Sequence, residues 1–473
     1  MKQNLVLKYF TEICKIPHTS GNEEALAKYI TSILKKAGCK ITTDKLGNVH
    51  VSKNGKLKVP GICFQAHLDM VGEKNIDSHH DFKNHPIDFY EEHGWIKARG
   101  TTLGADNGVG IALILAIFTD KTVNHGPLEA LFTVQEETTT IGAIKLKNDW
   151  IKSPYLINVD SENDNHIVIG SSNCCDFHGS LAIRRKPREN NTTDLSIKIM
   201  NGAGGHSASE IHLNRVNTIV EVFNILKTVS SKSNFQIIDV KTSSQLNAIP
   251  NYCEVIVNID QHHVNQLKRM ILTQFNNLYT AYSESDKHLS LVINAVKADK
   301  EPLILNDSNK LINLVTAANN SLNNFDVNFQ TTTVSTNLGK LVTSNDEIQL
   351  SWLQRSNTEY DLDKLNNKLI SLFTILNGSY KIINIAKGLK ADLNNRLALQ
   401  IQKLISTKFN RNVSLLNTHS VLEIGDIVRH YPTITAVSIG PNIEYPHTPR
   451  ERVEIKSILY IYDLMKEIVK TIR

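Results

Sequence analysis

The segments GICFQAHLD (61–69), LEALFTVQEE (128–137) and PYLINVD (154–160) decide the fold, because each is a short apolar run that ends in polar, mostly acidic residues. Between the first two lies GVGIALILAIFTD (108–120), whose length and continuous apolar character predict a buried helix. Short buried strands that alternate with helices are typical of an α/β protein with a mainly parallel sheet. We therefore predict this fold class for the first third of the chain.

The pattern changes from about Cys174 onward. There the sequence predicts strand, helix, strand, strand, helix and strand, which is the split βαβ order. These elements are DLSIKIMNG (194–202), IHLNRVNTIVEVFNILKTV (211–229), FQIIDVKTSSQLNAIP (235–250), YCEVIVNID (252–260), VNQLKRMILTQFNNLYTAY (264–282) and LSLVINAV (289–296). A weaker echo follows up to about residue 386, with a helix (NKLINLVTAANNSL, 309–322), two strands, a helix and a strand, and it suggests an internal duplication.

After about Gly388 the α/β pattern returns, with a strand in TITAVSIG (433–440) and a last helix in ERVEIKSILYIYDLMKEIVKTI (451–472). We therefore predict one catalytic domain, formed by residues 1–173 and 388–473. An inserted α+β domain of residues 174–387 interrupts it.

Composition narrows the class of partner. The chain has 473 residues and a net charge of +5, but its 52 basic and 47 acidic residues are interspersed, so no nucleic-acid partner is expected. No apolar stretch approaches the length of a membrane span, and the first residues lack the apolar core of a signal peptide. Six cysteines without a regular spacing indicate free thiols and a cytoplasmic location.

Polar residues at the strand ends carry the chemistry. His67, Glu136, Glu137 and Asp160 follow apolar runs, and Asp106 precedes the buried helix. In an open α/β sheet, sites lie at the carboxyl ends of the strands, so these side chains should meet at one edge. Each of these residues, taken alone, more often has a structural role, and an adjacent acidic pair such as Glu136 and Glu137 is more often exposed on the surface. The occurrence of all five at strand or helix ends favours a functional site.

Imidazole and carboxylate groups suit zinc, and two metal ions held close together need a bridging carboxylate. Where a strand ends the chain turns, so Glu136 and Glu137 can both face the site, one binding metal and the other handling the proton of a bound water. Asp69 lies two residues after His67, on the same strand face. We expect it to accept a hydrogen bond from the imidazole nitrogen that does not bind metal.

The segments HLDMV, GTTLGADNG, VQEE and NVDSE, in that order, resemble the co-catalytic zinc peptidases of the aminoacylase and carboxypeptidase G2 type. The chain resembles most closely the aminoacyl-histidine dipeptidases, a group also called Xaa-His or cytosol non-specific dipeptidases. EICKIPHTSGNEE, GGHSASEIH and SIGPNIEYPHTPRERV carry this closer resemblance. It spans most of the chain and is weaker from about residue 265 to 410.

This resemblance implies two divalent metal ions, zinc in the first place, with manganese or cobalt as alternatives. It implies one ion on His67 and Asp160, a second on Glu137 and His447, Asp106 as the bridge followed by a cis peptide bond, Glu136 as the general base, and Asp69 as support for His67. His447 is singled out by the resemblance and by its place after a predicted strand.

The resemblance also implies that the inserted domain of residues 174–387 is a lid and dimerisation domain and that it carries substrate-binding residues. His206 would polarise the scissile carbonyl, and Asn247 and Arg355 would contact substrate, with the guanidinium suited to a free carboxylate. Each has a plainer alternative, a loop histidine for His206 and a surface salt bridge for Arg355. His419 and Glu423 resemble a segment near the metal site, without an assigned role.

The expected activity is metal-dependent hydrolysis of dipeptides, including Xaa-His dipeptides, by a homodimer. A tripeptidase, a carboxypeptidase or an N-acyl amino acid deacylase of the same fold is the nearest alternative. A non-catalytic peptide-binding protein is an alternative of another class, but it should have lost the base or a ligand. This chain keeps all five ligand positions and Glu136.

Overall fold

The computed structural model describes residues 4–243, 245–318 and 321–473, with the backbone alone at 321–323. Its helices are α1 (Leu5–Ile13), α2 (Glu24–Lys36), α3 (Ala105–Thr119), α4 (Glu136–Thr139), α5 (Ile141–Ile144), α6 (Thr218–Ser230), α7 (Val264–Tyr282), α8 (Leu305–Ala317), α9 (Glu359–Ile375), α10 (Arg396–Phe409), α11 (Ile424–His430) and α12 (Ile455–Thr471).

The strands are β1 (Lys40–Thr43), β2 (Val49–Lys53), β3 (Ile62–His67), β4 (Phe89–Glu92), β5 (Trp95–Ala98), β6 (Leu128–Thr133), β7 (Tyr155–Asn158), β8 (His166–Gly170), β9 (Asn173–Ala182), β10 (Thr192–Met200), β11 (Gln236–Thr242), β12 (Tyr252–Asp260), β13 (Ser290–Val296), β14 (Ser321–Asp326), β15 (Thr331–Thr343), β16 (Glu347–Ser356), β17 (Ser379–Ala386), β18 (Ser414–Asn417), β19 (Thr435–Ser438), β20 (Ile443–Glu444) and β21 (Arg452–Glu454).

The chain divides into two compact units. The first comprises Met1–Ser171, Ala386–Asn417 and Val421–Arg473, and the second comprises Ser172–Ile385 and Thr418–Ser420. Residues 418–420, inside the range predicted for the catalytic domain, thus cluster with the second unit. Within the described residues, no helix combines the length and apolar character that a membrane crossing requires.

An eight-stranded sheet forms the centre of the first unit, in the order β1-β2-β6-β3-β7-β19-β8-β18. Its four central strands, β6, β3, β7 and β19, run parallel to one another, while the pairs β1-β2, β2-β6 and β19-β8 are antiparallel. Parallel strands are buried on both faces, which is why β3 and β6 consist of buried residues throughout. The predicted α/β class with a mainly parallel sheet is confirmed.

Helix α3 packs against α1, α12 and β3 and is buried on nearly all sides, as predicted for this apolar segment. It begins at Ala105, three residues earlier than the apolar run, so that Asp106 lies in its first turn. At the other end of the chain, the predicted helix over 451–472 begins only at Ile455. The residues before it form β21, the partner of β5 in a small four-stranded sheet.

The second unit contains two sheets of the same strand order. The first, β11-β12-β10-β13, is the predicted βαββαβ unit, and counted along the chain its strands lie in the order 2-3-1-4. Its second strand is shorter than predicted, ending at Thr242, and Ser244 lies outside the described residues.

The second sheet is β14-β15-β16-β9-β17. With β9 as its first strand, β15, β16, β9 and β17 repeat the order 2-3-1-4, and α8 and α9 occupy the helix positions. Asn319 and Asn320, within the predicted helix of the echo, lie outside the described residues. The suspected duplication is therefore visible in the topology. The copy with β10 to β13 is inserted into the other copy, between β9 and α8.

Candidate metal centre

Three parallel strands of the first unit end where the predicted site residues begin. Strand β3 ends at His67, and β7 ends two residues before Asp160. After β6, Gln135 adopts a left-handed backbone conformation with φ of 55°, and the chain enters the single helical turn α4 at Glu136. Such a conformation is unusual for a residue with a side chain. It turns the adjacent Glu136 and Glu137 out of the alternating strand pattern.

The carboxylate of Asp106 lies between two imidazoles. Its Oδ1 is 3.0 Å from His67 Nε2, and its Oδ2 is 3.1 Å from His447 Nε2. The peptide bond from Asp106 to Asn107 is cis, which confirms that expectation. One carboxylate facing two separate histidines is the arrangement that a bridging ligand needs.

The outer ligands fall into two groups around this bridge. Asp160 Oδ1 is 3.4 Å from His67 Nε2, and Glu137 Oε2 is 3.0 Å from His447 Nε2. His67, Asp106 and Glu137 each offer a ligand atom, and these atoms lie within 4.8 Å of one another. The two groups are those that the resemblance implied for the two metal ions.

The electrostatics of the cluster favour a cation. Burial and the neighbouring Asp106 raise the pKa of Glu137 to about 7, and burial also raises the pKa of Asp160. The Oε1 atom of Glu137 is buried and has no hydrogen-bond partner within the described residues. Buried carboxylates crowded in this way repel one another, and a bound divalent cation would remove the repulsion. The residues therefore fit a metal site of His and carboxylate type.

Asp69 contacts both the imidazole of His67 and the first turn of α4. The Nδ1 atom of His67 is 2.9 Å from the Asp69 carbonyl oxygen but 3.6 Å from its carboxylate. The carboxylate accepts hydrogen bonds from the amides of Glu136 and Glu137, at 2.9 and 3.1 Å, and from the Ser20 hydroxyl at 2.6 Å. The shorter contact with the imidazole is thus made by the Asp69 carbonyl oxygen, while the Asp69 carboxylate also holds the first turn of α4.

Sequence reasoning did not single out Glu451. Its buried carboxylate accepts hydrogen bonds from four consecutive amides, those of residues 103 to 106, at 2.7 to 3.2 Å. The only signal in the sequence is its position four residues after His447. Glu451 therefore ties the loop that carries His447 to the loop that carries Asp106.

Glu423, whose role was open, is hydrogen-bonded to two strands of the central sheet. Its carboxylate accepts hydrogen bonds from Gln65 Nε2 at 2.8 Å and from the Thr133 hydroxyl at 2.6 Å. Burial raises its pKa to about 8. Since Gln65 precedes His67 on β3 and Thr133 ends β6, Glu423 links the two strands that deliver His67 and Glu136.

A cavity of about 680 Å³ opens beside Glu137 in the first unit. Its lining includes Ser20, Met70, His79 and His80. The two histidines belong to the loop between β3 and β4. The cavity gives the cluster an open side of a size suited to a small substrate.

The three predicted substrate-binding residues all belong to the second unit. His206 lies in a turn where its Nδ1 accepts hydrogen bonds from the amides of Ala208 and Ser209, both at 3.2 Å. The carbonyl oxygen of Asn247 accepts a hydrogen bond from the Ser207 amide at 2.8 Å. Arg355 is buried on β16, which argues against the surface salt bridge considered for it. Their roles toward substrate stay predictions.

Comparison with known proteins supports the same family. The model of peptidase family M20/M25/M40 matches residues 63–471. The cytosol non-specific dipeptidase of Escherichia coli is 34% identical over 469 residues, covering 98% of this chain and 96% of the relative.

Among solved structures, an aminoacylhistidine dipeptidase from Vibrio alginolyticus matches with a TM-score of 0.86 and 27% identity, covering 100% of this chain and 97% of that one. A tripeptidase from Staphylococcus aureus shares the fold at 16% identity and a TM-score of 0.57, covering 98% of this chain and 97% of that one. The predicted resemblance, and with it the class of hydrolases that act on peptide bonds, is confirmed. The chain belongs to peptidase family M20/M25/M40.

Proposed function

We propose that this peptidase is a metal-dependent dipeptidase that hydrolyses dipeptides, including Xaa-His dipeptides. The observation that carries the proposal is the Asp106 carboxylate between His67 and His447, with the acidic pair of α4 beside it. The names of the Escherichia coli and Vibrio alginolyticus relatives, both dipeptidases, support this choice of substrate.

Two divalent ions, zinc in the first place and manganese or cobalt as alternatives, are the proposed cofactors. His67 and Asp160 would hold one ion, Glu137 and His447 the other, and Asp106 both. When bound, such ions lower the pKa of a water molecule and polarise a carbonyl group.

Glu136 is the proposed general base. It takes the proton of the attacking water and passes it to the nitrogen of the leaving amine. Burial and the neighbouring Glu137 raise the pKa of Glu136 above its usual value. A raised pKa suits a group that accepts and then donates a proton near neutral pH. The Asp69 carboxylate fixes the backbone amide of this residue and so positions it.

The remaining proposals concern the substrate-binding residues, the oligomeric state and the cellular location. Arg355 is proposed to bind the free carboxylate of a dipeptide, with His206 at the scissile carbonyl and Asn247 as a further contact. A homodimer and a cytoplasmic location are also proposed. The name of the Escherichia coli relative and the six free cysteines support the location.

Glu136→Gln tests the mechanism, because glutamine keeps the shape of the side chain but cannot take up a proton. We expect kcat for a dipeptide to fall by about 10²- to 10⁴-fold while the metal content stays that of the wild type. Glu12→Gln, on the exposed side of α1, is the matched control and should leave kcat unchanged. A fully metal-loaded Glu136→Gln protein with near wild-type activity would rule out this base.

The substrate class is tested on a panel of a dipeptide, a tripeptide, a peptide with a carboxypeptidase-type cleavage site and an N-acetyl amino acid. Each is assayed with zinc, manganese or cobalt. The proposal expects the highest kcat/KM on the dipeptide. A higher value on the tripeptide, the longer peptide or the N-acetyl compound would assign the chain to the corresponding alternative. No hydrolysis at all would favour the non-catalytic binding protein.

A further inference from the structure

A chain of buried polar groups runs through the second unit around His419. The Nε2 atom of His419 is 2.7 Å from the Ser335 hydroxyl, and its Nδ1 atom is 3.0 Å from the Ser172 hydroxyl. Ser172 in turn donates to Asn357 Oδ1 at 2.6 Å. His419, Ser335 and Ser172 are all at most 4% exposed.

The direction of each hydrogen bond in this chain follows from the position of the Asn357 amide oxygen, which faces the Ser172 hydroxyl. Ser172 has a single hydroxyl proton, which it gives to Asn357, so it must accept from His419 Nδ1. Burial, and then the charge of Arg355, lower the pKa of His419 to about 3. The neutral ring carries one proton, on Nδ1, so Nε2 accepts the Ser335 proton.

The Asn357 side chain directs its Oδ1 atom toward Ser172 and its amide NH₂ group the other way. That Nδ2 atom is buried and has no hydrogen-bond partner within the described residues. The fully oriented chain therefore presents an unused donor at its end.

A second unused donor lies on strand β16, which ends one residue before Asn357. Arg355 precedes Asn357 by two residues, pairs with Ser335 across the sheet, and is 7% exposed. Its Nε atom also lacks a hydrogen-bond partner among the residues that the structure describes. Two buried donors without acceptors are costly to maintain, and an anion that accepts from both would remove that cost.

We propose that Asn357 is a second donor to the terminal carboxylate of the substrate, beside Arg355, and that Ser172 and His419 position it. This rests on the proposed dipeptidase function and adds specificity-determining residues to it. A carboxylate suits the pair because its two oxygens can accept one N–H from the guanidinium and one from the amide. Asn357 therefore contributes to the choice of peptides with a free carboxyl end.

Asn357→Asp tests this assignment, since it replaces the NH₂ donor by a carboxylate oxygen that repels the substrate. The substrates are a dipeptide and the same dipeptide with a C-terminal amide. We expect kcat/KM for the free acid to fall about tenfold or more, mainly through KM, while the value for the amide changes little. The ratio of the two values is the readout, because a general loss of folding would lower both.

Asn367→Asp is the matched control, because it makes the same change of charge at an exposed position of α9. It should leave the ratio at the wild-type value. Ser172→Ala removes the proton that orients Asn357 and should shift the ratio in the same direction by a smaller factor. If Asn357→Asp does not fold, Asn357→Ala, which only removes the donor, decides by the same ratio.

An unchanged acid-to-amide ratio in the folded Asn357 variant would overturn this inference while the dipeptidase function stands. A wild-type protein that hydrolyses neither substrate would instead overturn the proposed function, and this inference with it. The two failures are therefore separated by the wild-type rate on the free dipeptide.

Discussion

At the scale of single residues, the sequence did not reveal the contact of Glu451 with the loop that carries Asp106. One carboxylate accepts four amide hydrogen bonds from a loop that lies 345 to 348 residues earlier in the chain. No local pattern can predict such a contact, whereas the polar ends of β3, β6 and β7 are visible in short windows. The strand-end residues of the proposed metal site were therefore predictable from the sequence, His447 was found only through the resemblance, and the residue that holds Asp106 in place was not found.

Glu451→Gln should weaken metal binding. Each carboxylate oxygen of Glu451 accepts hydrogen bonds from two backbone amides. In the glutamine variant an NH₂ group would replace one of these oxygens and face two N–H donors, so the loop of Asp106 would lose its fixed position. We expect metal affinity to fall by about 10- to 100-fold, as is typical for the partners of metal ligands. Competition with a chelator measures this change. Glu12→Gln on the surface is the control, and equal affinities in the two variants would contradict the role.

Asp426 allows a prediction about pH. It is 3% exposed, and burial raises its pKa from 3.8 to about 6. The folded chain thus holds this proton more tightly than the unfolded chain, so stability falls between about pH 4 and pH 6 and stays lowered above that. Asp426→Asn should remove this penalty and raise the free energy of unfolding at pH 8 by up to about 2 kcal/mol.

The gain should shrink as the pH is lowered from 8 toward 5, which thermal unfolding at several pH values can follow. Asp463→Asn, on the exposed side of α12, makes the same chemical change without burial. A gain in Asp426→Asn that does not depend on pH would contradict the assignment.

At the scale of elements, the apolar run 108–120 was predictable because a helix buried on all sides needs no polar face. The start of α3 was not, since Asp106 and Asn107 have non-helical backbone angles within its first turn. The last helix shows the reverse error. Its periodic pattern extends back to Glu451, but that side chain binds the loop of Asp106, and residues 452–454 pair with β5 instead.

Leu113→Ala tests how strongly α3 anchors the first unit. Leu113 is 0% exposed, and its truncation leaves a cavity among tightly packed side chains. We expect a loss of about 2 to 5 kcal/mol in the free energy of unfolding, measured by denaturant titration. Leu399→Ala on α10 is the matched control, because Leu399 is 43% exposed and should cost far less. Equal losses would contradict the central position of α3.

At the scale of the whole molecule, the nested repeat explains why the second unit was only partly predictable. The copy with strands β10 to β13 is continuous in sequence, and its order was read correctly. The other copy begins with β9 and resumes at α8, after the entire first copy has intervened. Sequence periodicity detects neighbours along the chain, so the echo appeared to lack its first strand.

Because the chain divides into two units, we expect removal of the metal to destabilise only the unit that holds the ligands. All five proposed ligands belong to the first unit, so a chelator should withdraw a stabilisation of about 4 kcal/mol if the ions are present at a thousand times their dissociation constants. Hydrogen exchange followed by mass spectrometry should then show lost protection in β3 and the start of α3. Peptides from β16, in the second unit, should keep their protection, and returning the metal should restore that of β3. Equal losses in both units would show that the metal stabilises the chain as a single cooperative body.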